Sequence, residues 1–299
     1  MSRDLMAASP YLRRMVHMAI FLLVRAIPLS LGRFLARALA TVLWFCDRPG
    51  QRAVAANLAS VLPSRCPQAI RRAARQTYAA CAVSVVESLH MRDLAPAFAQ
   101  AELIDPWRLR DRGLLRGPCI MTTVHINFEV CCGYWLLTRA IEGVSAISLS
   151  TGDPVLDDMV YQYRAGYGCC SLVLDKAPLG SLRALRQGAI VGIIGDRDYS
   201  GHGASCRFLG HSYRLPVGPA ALAVQTGCPI YPALLVRRQH TAFTALLARP
   251  LIPDPSRPAD AEVQRLVQEL ADIYGRFIRA APAQWIAFHR LFAASSSVG

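Results

Sequence analysis

From about residue 118 onward, short apolar runs alternate with segments whose apolar residues recur at helical spacing. The apolar runs predict strands at 119–124, 144–149, 171–174, 190–195, 230–236 and 242–247. The segments between them predict helices at 128–139, 154–167, 179–187 and 217–226. Strands that alternate with helices are typical of an α/β fold. We therefore expect a largely parallel sheet flanked by helices.

Helices are also predicted outside this alternating region. Residues 67–91 carry apolar side chains at helical spacing behind Pro67, which suits a first helical turn. Residues 260–279 form a last amphipathic helix with one apolar stripe. Residues 201–219 are rich in glycine and proline, which favours a loop that shapes a substrate entrance or serves only as a turn.

The N-terminal region is apolar but interrupted. Its longest uncharged run, Met15 to Val24, has only 10 residues, and Pro28 splits the stretch 15–46 in two. A spanning helix needs about 20 apolar residues. The pattern favours two helices in a membrane interface, with arginines reaching lipid phosphates, over helices that simply pack on the core. We predict membrane-associating helices at 1–48, a catalytic domain at 49–292 and a frayed tail at 293–299.

Composition narrows the class of protein. Of 299 residues, 53% are hydrophobic and 18% charged, which excludes a disordered or fibrous chain. The net charge of +13 should attract phosphates of a membrane lipid, a nucleic acid or an acidic carrier. A nucleic-acid partner is disfavoured because no basic, aromatic-interleaved segment occurs. The ten cysteines include no Cys-x-x-Cys, so we expect reduced thiols in a cytosol-facing protein.

One candidate catalytic group follows the first predicted strand of the sheet. His125 comes directly after the apolar run, Asn127 suits a helix N-cap, and Glu129 falls in the first turn of the next helix. The carboxyl end of a strand is where α/β sheets collect ligands. Glu129 could fold back to the imidazole of His125 and orient it as a general base. Alternatively, Glu129 only complements the helix dipole and His125 is a buried structural residue.

A second group of charged residues follows another predicted strand. Asp196, Arg197 and Asp198 come directly after the apolar run 190–195. An Asp-x-Asp pair is one way to bind a divalent metal ion. Arg197 can pair with a neighbouring carboxylate or contact a substrate phosphate.

Several ordered blocks resemble the bacterial lipid A lauroyl/myristoyl acyltransferases, within the broader lysophospholipid acyltransferase-like group. The blocks are RAVAANL at 52–58, GDRD at 195–198, FLG at 208–210, LPVGPAALA at 215–223, TGCPIYP at 226–232 and PAQWIAFHR at 282–290. The catalytic motif of that family is a histidine, four residues and then Asp or Glu. Here only three residues separate His125 from Glu129, and the missing residue is a glycine before Asn127.

The resemblance implies an acyltransferase with His125 and Glu129 as the catalytic pair. It also implies substrate contacts by Asn127, Arg164, Asp196 and Arg197, with Asp196 supporting the active-site loop, and neither a metal ion nor another cofactor. The donor would be a thioester of acyl carrier protein or coenzyme A, and the acceptor a lipid or glycolipid such as a lipid A precursor. Such an enzyme would lie at the cytoplasmic face of the bacterial inner membrane, peripheral or N-terminally anchored.

The shortened motif leaves two alternatives to this function. Loss of one loop residue can shift the backbone of His125 by up to about 3.5 Å relative to the helix. The chain would then be an acyltransferase for a non-lipid, specialised-metabolite acceptor, or a membrane-binding pseudoenzyme that keeps only the fold.

Overall fold

The computed structural model describes residues 10–63, 66–199, 201–238 and 242–292. The tail predicted at 293–299 and the first nine residues lie outside these ranges. Within them, the α-helices are α1 Pro10–Ala26, α2 Leu29–Cys46, α3 Arg48–Ala59, α4 Pro67–Leu89, α5 Ala95–Ala99, α6 Phe128–Leu137, α7 Pro154–Ala165, α8 Ala177–Arg186, α9 Gly218–Thr226 and α10 Ala259–Ala280. The strands are β1 Glu102–Ile104, β2 Cys119–Thr123, β3 Val144–Ser148, β4 Cys169–Val173, β5 Ile190–Ile194, β6 Ala204–Phe208, β7 His211–Leu215, β8 Ile230–Arg237 and β9 Phe243–Leu247.

In this part of the chain, seven strands form one sheet in the order β1-β9-β8-β2-β5-β3-β4. All neighbouring pairs in it are parallel except β8 and β9. The central strand β2 is buried along most of its length, as expected for a parallel strand covered on both faces. The predicted α/β fold with a largely parallel sheet is therefore confirmed.

Helices cover the sheet on two faces. One apolar cluster joins α8, α9 and α10, with buried residues such as Leu185, Leu222 and Leu266. A second cluster lies around α6 and includes Tyr134 and Trp135, with Tyr163 of α7 packed against it. Strands β2 and β5 are neighbours in the sheet. Helix α6, which follows β2, covers one face, and helix α9, which comes after β5, covers the other face. This arrangement opens a crevice at the carboxyl ends of the two strands.

The N-terminal helices lie on the α6 and α7 side. The predicted break at Pro28 is confirmed, since α1 ends before it and α2 begins after it. Helix α2 packs on α4, and Arg33 is buried with its Nε 2.8 Å from a carboxylate oxygen of Glu87. The expectation that the arginines of this region reach lipid phosphates is thus wrong for Arg33: its guanidinium faces the protein core, because Glu87 is buried there.

The side of α1 and α2 that faces away from the rest of the protein is apolar and exposed. Its large exposed side chains are Tyr11, Leu12, Met15, Met18, Ile20, Leu22, Leu23, Leu31, Phe34, Leu35, Leu39, Val42, Leu43 and Phe45. Helix α2 is long and apolar enough to cross a membrane by length and composition alone. Arg33 is paired and buried against α4, however, so the helix lies along the protein with one apolar face outward.

Four parts of the fold were not predicted from the sequence. Helix α3, the five-residue helix α5 and the three-residue edge strand β1 carry no strong periodic signal. The stretch 201–219, expected to be a loop, contains the antiparallel hairpin β6–β7, which packs against α10. Its strands alternate exposed and less exposed positions and lie outside the main sheet, so they lack the continuous apolar run of the central strands.

Candidate active site

The register of β2 and β5 brings His125 and Asp196 together. Thr123 pairs with Ile194, and in each strand one further residue precedes the polar side chain, so that His125 and Asp196 each lie two positions past the paired residues. The imidazole Nδ1 lies 2.5 Å from Oδ1 of Asp196, and the backbone N–H of His125 donates to the same oxygen at 3.2 Å. The carboxylate that bonds the imidazole is therefore Asp196, from the neighbouring strand.

The segment around Trp285 and Ile286 forms hydrogen bonds with both His125 and Asp196. Trp285 donates its indole N–H to the other oxygen of Asp196 at 2.8 Å, and Ile286 donates its backbone N–H to the carbonyl of His125 at 2.9 Å. Both Asp196 and Trp285 are buried. Each carboxylate oxygen of Asp196 thus has its own donor, and the imidazole is fixed between two segments distant in sequence.

The electrostatics favour an ionised Asp196. Burial alone would raise the pKa of this carboxyl group. The nearby His125 and its hydrogen bond, the charge of Arg197 and the Trp285 hydrogen bond outweigh burial and lower the pKa to about 2. A carboxylate that stays charged can hold the Nδ1 proton of the imidazole and stabilise the ring when it becomes protonated.

Glu129 occupies a different position from the one predicted. Both of its carboxylate oxygens bond the guanidinium of Arg164, one from Nε at 3.2 Å and the other from Nη2. Arg164 also donates to the hydroxyl of Ser148 at 2.8 Å. The expected return of Glu129 to the imidazole is replaced by this ion pair, because the imidazole already has a carboxylate partner. His125, Glu129 and Arg164 nevertheless line one cavity.

Asn127 accommodates the shortened motif. Its backbone is left-handed, with φ of 45°, which asparagine tolerates better than most residues. Its side-chain N–H group donates to the side-chain oxygen of Gln284 at 2.7 Å, and its oxygen accepts from Arg237 at 3.2 Å. The residue is buried and makes no side-chain cap to α6, although it stands at the N-cap position. These contacts hold Asn127 in the turn before α6, and Asn127 is not among the residues that line the cavity beside His125.

Arg197 follows Asp196 in the sequence and makes few hydrogen bonds with the described residues. Its Nη1 lies 3.5 Å from the hydroxyl of Tyr199, and its buried Nε and Nη2 have no hydrogen-bond partner among the described residues. Its side chain lines the same cavity as His125. Asp198 is used differently, since it accepts the backbone N–H of Gly203 at 2.7 Å. The described residues show no group of three or more His, Cys, Asp or Glu side chains that could hold a metal ion.

The cavity beside His125 has a volume of about 860 Å³. Its exposed rim includes Leu149 and Tyr199, whereas Trp135, Ile141 and Cys169 are buried and line its interior. Most of the lining is apolar, and its polar residues include His125, Arg197 and Asp198, which follow the carboxyl ends of β2 and β5. A cavity of this size and polarity suits an aliphatic chain whose reactive end lies at the imidazole.

An orientable base at the end of a large apolar cavity fits an enzyme that handles acyl chains. The family of bacterial lipid A biosynthesis acyltransferases matches residues 5–294, so the chain belongs to that family. The resemblance found in the sequence blocks is thereby confirmed, and the chain is a lipid acyltransferase with an acyl donor and a lipid acceptor as substrates.

Two relatives from Mycobacterium tuberculosis are both phosphatidylinositol mannoside acyltransferases. The protein from strain CDC 1551 is 26% identical over 254 residues, which are 81% of this chain and 77% of that relative. The protein from strain H37Rv is 28% identical over 161 residues, which are 51% of this chain and 48% of that relative. The second match thus spans about half of each protein.

The low pKa of Asp196 predicts a pH-dependent contribution to stability. Its pKa in the folded protein, about 2, lies below the ordinary value of 3.8. The ionised side chain therefore stabilises the fold above about pH 4, and this stabilisation is lost as the pH falls toward 2. Asp196→Asn lacks this titration. The difference in free energy of unfolding between wild type and variant should shrink by about 1 kcal/mol from pH 5 to pH 3 in urea denaturation. A constant difference would contradict the assignment.

Proposed function

We propose that the enzyme transfers an acyl group directly from a thioester to a hydroxyl group, with His125 as general base and Asp196 as the carboxylate that orients it. The single observation that carries this proposal is the His125–Asp196 hydrogen bond at the end of the apolar cavity. With its proton on Nδ1, facing Asp196, the ring keeps Nε2 available to accept a proton. Glu129 acts through Arg164 to hold the cavity wall.

Side chains of this protein can accept and return the proton that the reaction moves and can stabilise the charge that it develops. Nε2 of His125 takes the proton of the acceptor hydroxyl while the oxygen attacks the thioester carbonyl. The tetrahedral intermediate carries a negative oxygen, and the guanidinium of Arg197 is the nearby cation with unused donors. Collapse breaks the carbon–sulfur bond, forms the ester and returns the proton from the imidazole to the leaving thiolate. The acyl chain lies in the cavity throughout.

The acceptor we propose is a glycolipid. The family is described by lipid A, and both relatives are described by phosphatidylinositol mannoside. Both kinds of acceptor carry sugar hydroxyl groups on an anionic lipid. Arg164 is engaged by Glu129 and is therefore a weaker candidate for a lipid phosphate than Arg197, which has two unpartnered nitrogens among the described residues.

We further propose that residues 1–48 bind the membrane surface at the cytoplasmic face and that 49–292 form the catalytic domain. The support is the exposed apolar face shared by α1 and α2, on a chain of net charge +13. Exposed apolar area of this extent stabilises attachment once it enters the acyl region of a bilayer.

Replacing Phe34 and Leu39 by aspartate should release the protein from membranes. Both side chains are more than half exposed on the outer face of α2, so the substitutions leave the core intact. Partitioning into anionic phosphatidylglycerol vesicles, measured by cosedimentation, should fall by at least about 10-fold. Ile252→Asp is the matched control, because Ile252 is similarly exposed outside these helices. Equal effects of both changes would contradict attachment through α2.

The proposed reaction can be tested in the native bacterium. We expect a strain whose only copy carries His125→Ala to lose one acylated glycolipid and to accumulate its form lacking that acyl group. Mass spectrometry of total lipid extracts at equal protein level measures both species. If the lipids of the variant strain are the same as those of a wild-type strain that expresses the protein, the result would instead support a non-lipid acceptor or a pseudoenzyme.

A further inference from the structure

Helix α8 has one side in the acyl cavity and the other in solvent. Ala177, Pro178 and Ser181 line the same cavity as His125. Leu179, Arg183 and Arg186 lie on the outer side, at a spacing that places them on one helical face. A partner bound to this outer face would sit about one helix diameter, 10 Å, from the cavity.

The outer face combines unpaired positive charge with exposed apolar surface. Leu179 is 77% exposed, and Lys176, Arg183 and Arg186 are also exposed. None of the three basic side chains has a hydrogen bond or ion pair with another described residue. The acidic side chain that lies close in sequence, Asp175, is outnumbered by these three cations.

The neighbouring elements do not neutralise this charge. Strands β4 and β5, which pack beneath α8, contain no acidic residue, and neither does α9 beside it. A shallow groove of about 370 Å³ is lined by Leu179, Leu182, Arg183, Arg186 and Gln187. An apolar side chain bound in this groove would lie next to Arg183 and Arg186, whose guanidinium groups could pair with acidic side chains of the same partner.

The location of α8 separates this surface from the proposed membrane face. Helix α8 belongs to the layer of α9 and α10, whereas Leu29 of α2 packs against the cluster on the other face of the sheet. A bilayer against α1 and α2 would therefore leave α8 facing water. The basic groups also lie along a convex helix instead of lining a deep pocket, which suits a protein surface better than a nucleotide.

We propose that the outer face of α8 is the docking surface for an acidic acyl carrier protein, which delivers its thioester into the cavity lined by the inner face of the same helix. This inference rests on the proposed acyl transfer. It commits to a carrier protein as donor, in place of coenzyme A. Acidic residues of the carrier would pair with Arg183 and Arg186, and one apolar side chain would contact Leu179.

The test compares two donors that carry the same palmitoyl chain, one on a bacterial acyl carrier protein and the other on coenzyme A. For the variant Arg183→Glu/Arg186→Glu, we expect KM for the carrier-bound donor to rise at least about 10-fold. KM for palmitoyl-coenzyme A should stay within about 2-fold. The wild-type KM for the carrier should also rise with salt, and that dependence should weaken in the variant.

The matched control is Arg72→Glu/Arg75→Glu on α4, an exposed pair with the same spacing on the opposite layer. It should leave both KM values unchanged. Equal loss with both donors, or loss only of vesicle binding, would overturn the docking proposal. A second measurement separates failure of the docking proposal from failure of the proposed acyl transfer.

Fluorescence anisotropy compares the affinity of palmitoyl-carrier protein for the His125→Ala variant and for the same variant with Arg183→Glu/Arg186→Glu added. Equal affinities would contradict docking on α8, whereas a wild-type enzyme that transfers no palmitoyl group from either donor would contradict the proposed acyl transfer.

Discussion

Asp196→Asn is expected to lower the turnover number by about 100-fold to 10,000-fold at saturating donor and acceptor. The amide keeps the shape of the side chain but removes the charge that bonds Nδ1 of His125 at 2.5 Å. An amide N–H group facing Nδ1 would favour the opposite tautomer and leave Nε2 protonated, so the ring could not act as a base. Initial rates of ester formation with purified enzyme measure this loss.

Glu129→Gln is the matched control for that change. Glu129 is also a carboxylate in the cavity wall, but its partner is Arg164. We expect the turnover number to fall by less than about 10-fold, because the imidazole keeps its carboxylate. The reverse order, with Glu129→Gln severe and Asp196→Asn mild, would restore Glu129 as the orienting group. Circular dichroism of both variants checks that the fold is retained.

The strand pattern located His125 and Asp196 at the ends of their strands but did not show that the two residues are in contact. His125 and Asp196 each follow a buried strand, and that much is visible in the sequence. Their contact depends on β2 and β5 being neighbours with Thr123 opposite Ile194. The lateral order of strands is set by tertiary packing and is not encoded in local periodicity. The order of the strands and their register together would be enough to predict the contact, since His125 and Asp196 each lie two positions past the paired residues Thr123 and Ile194.

The expected contact between Glu129 and the imidazole of His125 is not made for a similar reason. A spacing of four residues brings side chains together only when both belong to one helix. His125 lies in a tight turn before α6, where Ile126 donates its N–H to the carbonyl of Val124 at 2.6 Å, and Asn127 is left-handed. These dihedral angles turn the imidazole toward β5. The shortened motif is thus accommodated within the turn, a local conformation that the sequence did not reveal.

Buried charge was harder to foresee than apolar packing. The helical stripes predicted where α2 and α4 form, but Arg33 was expected at a membrane surface. Its partner Glu87 is 54 residues away, and no local spacing links them. Glu87 also accepts two hydrogen bonds from Arg237 of β8. Because Arg237 bonds Asn127 as well, these contacts connect the N-terminal helices to the turn that carries His125.

Glu87→Gln is therefore expected to lower the free energy of unfolding by about 3–5 kcal/mol. Glu87 is completely buried and is the carboxylate between the guanidinium groups of Arg33 and Arg237. A neutral amide leaves the buried guanidinium of Arg33 and the largely buried guanidinium of Arg237 without a counter-charge, and the cost of removing them from water remains. Urea denaturation measures the loss. Glu142→Gln, at an exposed carboxylate, should change the value by less than about 0.5 kcal/mol.

A triple variant distinguishes lost pairing from lost packing. Arg33→Met/Glu87→Leu/Arg237→Met removes all three charges and keeps roughly the same volume in the core. Its free energy of unfolding should return to within about 2 kcal/mol of wild type, because apolar groups carry no desolvation cost. Its turnover number should be lower than that of wild type, since Arg237→Met removes the donor to the oxygen of Asn127 and the turn at His125 loses that support. A triple variant as unstable as Glu87→Gln would show that packing, and not the unpaired charge, governs this junction.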